Sequence, residues 1–338
     1  MHDREDLVDA LLAAPLGVAL LAALDELEGS SSGTGAAPPA AVVDQMPLGD
    51  LLQTAVQCVT VRVGPWISEA PDVVAAAYEA AADRRPIAEA VADRFGAALH
   101  EPLDVTRQQW WSTEPARAPQ LFQAHDAVYG AGQLPWTALR TATEPPAALH
   151  AQLIDSWELP ADAPIGRWWM PVAEPVRVLE IHRPSDWAAL VLAHPRAAVA
   201  DQEWWELPGP HQAQVRDRVS RLTAIPGQRG ARTRVRRHLV PDWRSVAEEY
   251  DAVHLSWAGL LTAEGCVTDL GDGDVAMLRY WFSERTMWLR DVFGEPEPAP
   301  APVLVDGAGP VPVVDVRRDL LRQQRDRAVL RQLLGRAD

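Results

Sequence analysis

Lysine is absent from this chain, so all 31 of its basic residues are arginine. Basic chemistry therefore rests on guanidinium groups, which suit phosphate and carboxylate partners. Cysteine is nearly absent too. Cys58 and Cys266 stand far apart, which excludes a disulfide framework and any cysteine-based metal spacing. A reducing, cytoplasmic compartment is the expectation. Positive charge is scarce as a whole: the net charge is -16 and the isoelectric point about 5.0. That balance argues against a general nucleic-acid binder. Phenylalanine and tyrosine number 4 each, against 14 tryptophans, so Trp serves as the large core and rim aromatic. Pairs recur at Trp110-Trp111, Trp168-Trp169 and Trp204-Trp205, without a repeat around them.

Long hydrophobic runs are also missing. The nearest is Ala10 to Leu24, "ALLAAPLGVALLAAL". It is too short to cross a bilayer, and Pro15 and Gly17 interrupt it. The residues before it are acidic where a signal peptide needs a basic start. It reads as a buried helical element broken into two at Pro15, and no membrane partner is expected.

Composition divides the rest. Residues 28–41, "EGSSSGTGAAPPAA", form a flexible linker. The region 1–148 around it is mainly helical, with an Ala-rich stretch over 72–100 in which Pro86 opens a helix. An α+β domain with a mixed or antiparallel sheet is expected over 150–295. Within it "PVRVLEIHRPSDWAALVLAHP" reads as strand, turn and helix, with Asp186 favouring the helix start. "DWRSVAEEY" is helical and leads into "YDAVHLSWAGLL", read as a second strand. "DLGDGD" resembles a calcium loop but lacks the closing acidic ligand, and a hairpin turn explains it better. Residues 285–293 suggest a further strand. Residues 296–314 are a Pro-rich tether, and 315–338 carry a basic amphipathic helix with Leu320, Leu321, Val329, Leu330, Leu333 and Leu334 along one stripe.

The candidate chemistry sits on the two strands. Alternation places Val253, Leu255 and Trp257 on one face and His254 and Ser256 on the other. In "VRVLEIHR" it places Glu180 and His182 together. If the strands are neighbours, Glu180, His182, His254 and Ser256 converge, and a carboxylate beside an imidazole suits acid–base work. The plainer reading is a sheet with one wet face. Glu284, between Ser283 and Thr286 and flanked by Trp281 and Trp288, is a fifth candidate. No third residue is spaced to complete a metal site with the two histidines, so neither metal nor cofactor is expected.

The run "PGQRGARTRVRRHLVPDW" holds Arg232, Arg234, Arg236 and Arg237 before any acid. On an acidic protein it suits a phosphate, and hence a small anionic, nucleotide-like ligand. These features suggest a ligand-binding α+β protein, in the class of transferases or hydrolases. The alternative is a non-enzymatic interaction or scaffold protein, which meets a partner or a second copy of itself through its helical N-terminal region and C-terminal helix.

Overall fold

The computed structural model describes residues 2–31, 41–58, 81–112, 139–143, 166–173, 175–198, 237–278, 281 and 283–299. The expected C-terminal helix and most of the Pro-rich tether lie outside these residues, as do Arg232, Arg234 and Arg236.

Helices α1 (His2–Ala13) and α2 (Pro15–Ser31) meet at Pro15 with a bend of 89°. Proline at the first position of α2 has no N–H to lose, so the chain restarts its helix there. Helix α2 runs into the start of the stretch expected to be a linker. Short α3 (Ala41–Gln45) and α4 (Leu48–Cys58) follow, then α5 (Arg85–Leu99), with Pro86 in its first turn. The α1 and α2 stripe of Leu7, Leu11, Leu16, Leu20, Leu21 and Leu24 is buried. Each such leucine contributes about 1.5–3 kcal/mol of burial. Among the described residues no single helix is long and apolar enough to cross a membrane.

The strands begin earlier than expected. The region read as mainly helical contributes β1 (Gln108–Ser112) and β2 (Leu139–Thr143). There follow β3 (Gly166–Trp169), β4 (Val178–Ile181), α6 (Pro184–Ala193), β5 (Pro195–Ala197), β6 (Arg237–Pro241), α7 (Trp243–Glu249), β7 (Ala252–Leu255) and α8 (Trp257–Ala263). Strands β8 (Val267–Gly271), β9 (Asp274–Met277), β10 (Arg285–Trp288) and β11 (Glu297–Pro298) complete the described order. One sheet has the order β11-β3-β1-β2-β10-β7-β4, and a smaller one β5-β6-β9-β8. Each is antiparallel except for one parallel pair, β4 with β7 and β6 with β9. The fold is α+β with mixed sheets. The β8–β9 turn has positive φ at Asp272 (53°) and Gly273 (82°), the conformation of a two-residue hairpin.

One expectation fails at "YDAVHLSWAGLL". The strand ends at Leu255, and Ser256 caps a helix that carries the rest. The face opposite Val253 and Leu255 is covered at this strand, where His254 and Ser256 are each 1% exposed. Helix α8 is buried along its whole length and packs against α1, α2, α5 and α6. A single apolar cluster therefore runs from Leu7 through Trp187, Trp243 and Trp257 to Leu289. A second cluster, built on Trp168, Ala252 and Trp288, lies on the other face of the larger sheet. Six tryptophans (Trp168, Trp187, Trp243, Trp257, Trp281 and Trp288) are buried, which is the use expected of them.

Candidate functional site

Strand pairing brings the polar groups together. Parallel pairing sets Glu180 directly against His254, and antiparallel pairing sets His254 against Thr286 and Thr286 against Thr141. Directly paired residues share a face, as do residues two apart on one strand. Glu180, His182, His254, Ser256, Glu284, Thr141 and Thr143 thus all project from the same side of the sheet. The five candidate residues Glu180, His182, His254, Ser256 and Glu284 form one connected cluster.

His254 lies at its centre. Its Nδ1 is 2.5 Å from Glu180 Oε2, and its Nε2 is 3.0 Å from Glu284 Oε1. The carboxylates are themselves held: Glu180 Oε1 accepts the Leu103 N–H at 3.0 Å, and Glu284 Oε2 accepts that of Thr143 at 3.2 Å. Burial disfavours the charged imidazole, but the hydrogen bonds and charges of Glu180 and Glu284 outweigh it and raise its pKa to about 9. His254 is therefore an imidazolium at neutral pH, with both N–H groups donated and no lone pair to offer. Its ring is buried between the two carboxylates. Burial by itself would raise the Glu180 carboxyl; the hydrogen bond and charge of His254, with the Leu103 N–H, hold it below the ordinary glutamate value.

The solvent-facing members are Glu180 and His182, with side chains 26% and 29% exposed, against 4% for Glu284. His182 follows the end of β4 and Ser256 follows the end of β7, so both sit where a parallel strand turns into a helix. Ligands of open α/β sheets favour this carboxyl edge. Asp186 secures the first junction, accepting from the backbone N–H of His182 at 2.9 Å and of Arg183 at 3.1 Å. Ser256 secures the second by accepting the Gly259 N–H at 3.1 Å. Gly259 is required there: a Cβ would lie 2.1 Å from the Ile181 carbonyl oxygen.

The hydrogen bonds of Ser256 assign the His182 tautomer. Ser256 Oγ lies 2.9 Å from His182 Nδ1 and 3.2 Å from the Ile181 carbonyl, which only accepts. When the hydroxyl proton goes to Ile181, Oγ accepts from both Gly259 N–H and His182 Nδ1–H, for three bonds in all. Turning the hydroxyl to Nδ1 leaves two. The larger count favours the Nδ1–H tautomer, with the lone pair on Nε2. That Nε2 is 3.9 Å from Glu180 Oε2. Burial lowers the proton affinity of His182 more than Glu180 restores it, and the nearby imidazoles of His100 and His254 lower it further. The ring is neutral at neutral pH. Ser256 is buried, with its Oγ held among His182, the Ile181 carbonyl and the Gly259 N–H.

His100 belongs to the cluster as well, although no sequence motif marks it. It follows the end of α5, its Nδ1–H donates to the Gly96 carbonyl at 2.8 Å, and its ring centroid is 6.0 Å from that of His182. Its only signal is its position at a helix end, where a side chain can close on the last carbonyls. On the far side, Thr143 Oγ1 accepts from Gln108 Nε2 at 2.9 Å. Gln108 Oε1 accepts from Thr141, and Thr141 accepts from Trp288 Nε1 at 2.7 Å. The polar network thus spans β1, β2, β10, β7 and β4.

Arg237, the described member of the arginine run, stands elsewhere. Arg237 opens β6 in the smaller sheet and pairs with Asp274 through Nε at 2.9 Å and through a second guanidinium nitrogen. Among the described residues no three His, Cys, Asp or Glu side chains are arranged to hold a metal ion. Comparison with protein-family models, with curated proteins and with solved structures finds no match to this chain. The functional reading therefore rests on geometry.

Proposed function

We propose that the carboxyl edge of β4 and β7 is a small-molecule site at which His182 Nε2 acts as a general base. Glu180 binds the ligand beside it, and His254, Glu284 and Ser256 hold these two groups in place. The observation that carries the reading is the Ser256 geometry, which sets an accessible, neutral imidazole with its lone pair beside an anionic carboxylate. Taking a proton from a hydroxyl or amine nucleophile is a first step shared by hydrolases and transferases. A cytoplasmic setting fits the two free cysteines. A nucleotide-like anion would depend on Arg232, Arg234 and Arg236, since Arg237 is engaged by Asp274.

The competing reading, an interaction or scaffold protein, gives the cluster a stabilising role alone. Diethyl pyrocarbonate, which acylates unprotonated imidazole nitrogen, separates the two. Peptide mapping should show rapid modification of His182 at neutral pH, with a midpoint below the ordinary histidine value of 6.5, while buried His254 stays intact. An unreactive His182, or one whose reactivity rises only at or above that value, would remove the base from the account.

A further inference from the structure

Among the described residues, the part-exposed polar groups of the site are Glu180, His182 and His100. Glu180 Oε2 is an anion whose donor among the described residues is the buried His254 Nδ1–H. His182 spends its Nδ1–H on Ser256, so its neutral ring offers only the Nε2 lone pair, and His100 spends its Nδ1–H on the Gly96 carbonyl, which leaves Nε2 to face a ligand. Two of these groups, Glu180 Oε2 and His182 Nε2, stand 3.9 Å apart, and among the described residues the structure records no donor between them. Several backbone donors beside the site are already used: the Leu103 N–H binds Glu180, the N–H groups of His182 and Arg183 bind Asp186, and that of Gly259 binds Ser256. Beside the carboxylate lie half-buried apolar groups, Leu103 and Val178, the latter two residues before Glu180 on the same face.

We infer that the site takes a cation that carries N–H donors on an apolar stem, a primary ammonium or a guanidinium. Its donors bridge Glu180, His182 and His100, and its stem lies along Leu103 and Val178. The inference rests on the proton-transfer reading for the state of His182 and adds the class of ligand. It replaces the anion expected from the arginine run, at this site, with its opposite. Charge-assisted hydrogen bonds of this kind are roughly twice as strong as neutral ones, so Glu180 carries most of the affinity.

The test is titration calorimetry of the full chain at neutral pH with n-butylamine, n-butylguanidine, tetramethylammonium and inorganic phosphate, each checked by the imidazole NMR signals of His182 and His100. Butylamine or butylguanidine should bind saturably and shift both imidazoles, and the tighter of the two names the head group. Tetramethylammonium, a cation without donors, and phosphate should not. Glu180→Gln should weaken binding by about tenfold or more. Because Glu180 also supports His254, His100→Gln provides a second variant, expected to weaken binding severalfold with folding intact. Saturable phosphate binding at these imidazoles would overturn the inference, as would amine binding indifferent to both substitutions. Failure of every amine while His182 remains neutral defeats the ligand class alone; a charged His182 defeats the proton-transfer reading beneath it.

Discussion

Glu180 and His254 face each other across the parallel pair β4 and β7, with Nδ1 of the imidazole 2.5 Å from Oε2 of the carboxylate. On the other side of the same ring, Glu284 Oε1 lies 3.0 Å from Nε2. One buried cation thus ties three strands and, through Leu103 and Thr143, two backbone segments outside them.

Removing that cation should be costly. His254→Ala leaves the buried Glu284 and the part-exposed Glu180 without their counter-charge; for the buried member this class of change costs about 3–5 kcal/mol. Chemical denaturation should show it as a lower midpoint. A loss under about 1 kcal/mol would mean that the two carboxylates are solvated or protonated without difficulty.

The same group makes stability depend on pH in one direction. The folded-state pKa of His254 is raised from 6.5 to about 9, so the folded chain binds the proton more tightly than the unfolded chain. Its contribution is complete below the unfolded value of 6.5, falls as pH rises and is lost above about 9. A shift of this size corresponds to about 3 kcal/mol. Denaturation midpoints measured across that window should decline, and the decline should be absent in His254→Gln. The Glu180 carboxyl, held low, acts oppositely: its stabilisation is present above the ordinary glutamate value and is lost as acid protonates it.

Much of the local structure was legible in the chain. Val178, Leu179 and Ile181 announce a strand, and Pro184 with Asp186 announces the helix after it, because strand formers and N-terminal helix signals act over a few residues. Alternation likewise paired Glu180 with His182. The end of β7 was not legible. "LSWAGLL" is apolar throughout, and a short apolar run reads equally well as buried strand or buried helix. Ser256 is the cap that decides it, and its role depends on Gly259 approaching Ile181 from another part of the chain. The register of Glu180 against His254 is a non-local property that neither segment carries by itself. His100 reaches the site only through the packing of α5.

Gly259→Ala tests that close approach. A Cβ 2.1 Å from the Ile181 carbonyl oxygen cannot be accommodated without moving α8 away from β4. The expected loss is about 1–3 kcal/mol, and the His182 imidazole signals should shift with it, because Ser256 moves with its helix. An unchanged His182 environment would show that the cap and the strand end are not coupled.

Ser256→Ala separates capping from positioning. Loss of the cap should cost about 1 kcal/mol. Independently, His182 should lose the partner that holds its proton on Nδ1, and its reactivity toward diethyl pyrocarbonate should fall. Ser256→Thr, which keeps the hydroxyl, should restore both. Reactivity that is equal in all three proteins would assign Ser256 to helix capping alone.

The central claim concerns where protons reside, and long-range nitrogen–proton NMR of the histidine rings at neutral pH measures it most directly. The account predicts a neutral His182 protonated on Nδ1 with an unprotonated Nε2, beside a His254 protonated on both nitrogens until about pH 9. A His182 protonated on Nε2 and turned toward Glu180, or a neutral His254, would contradict it.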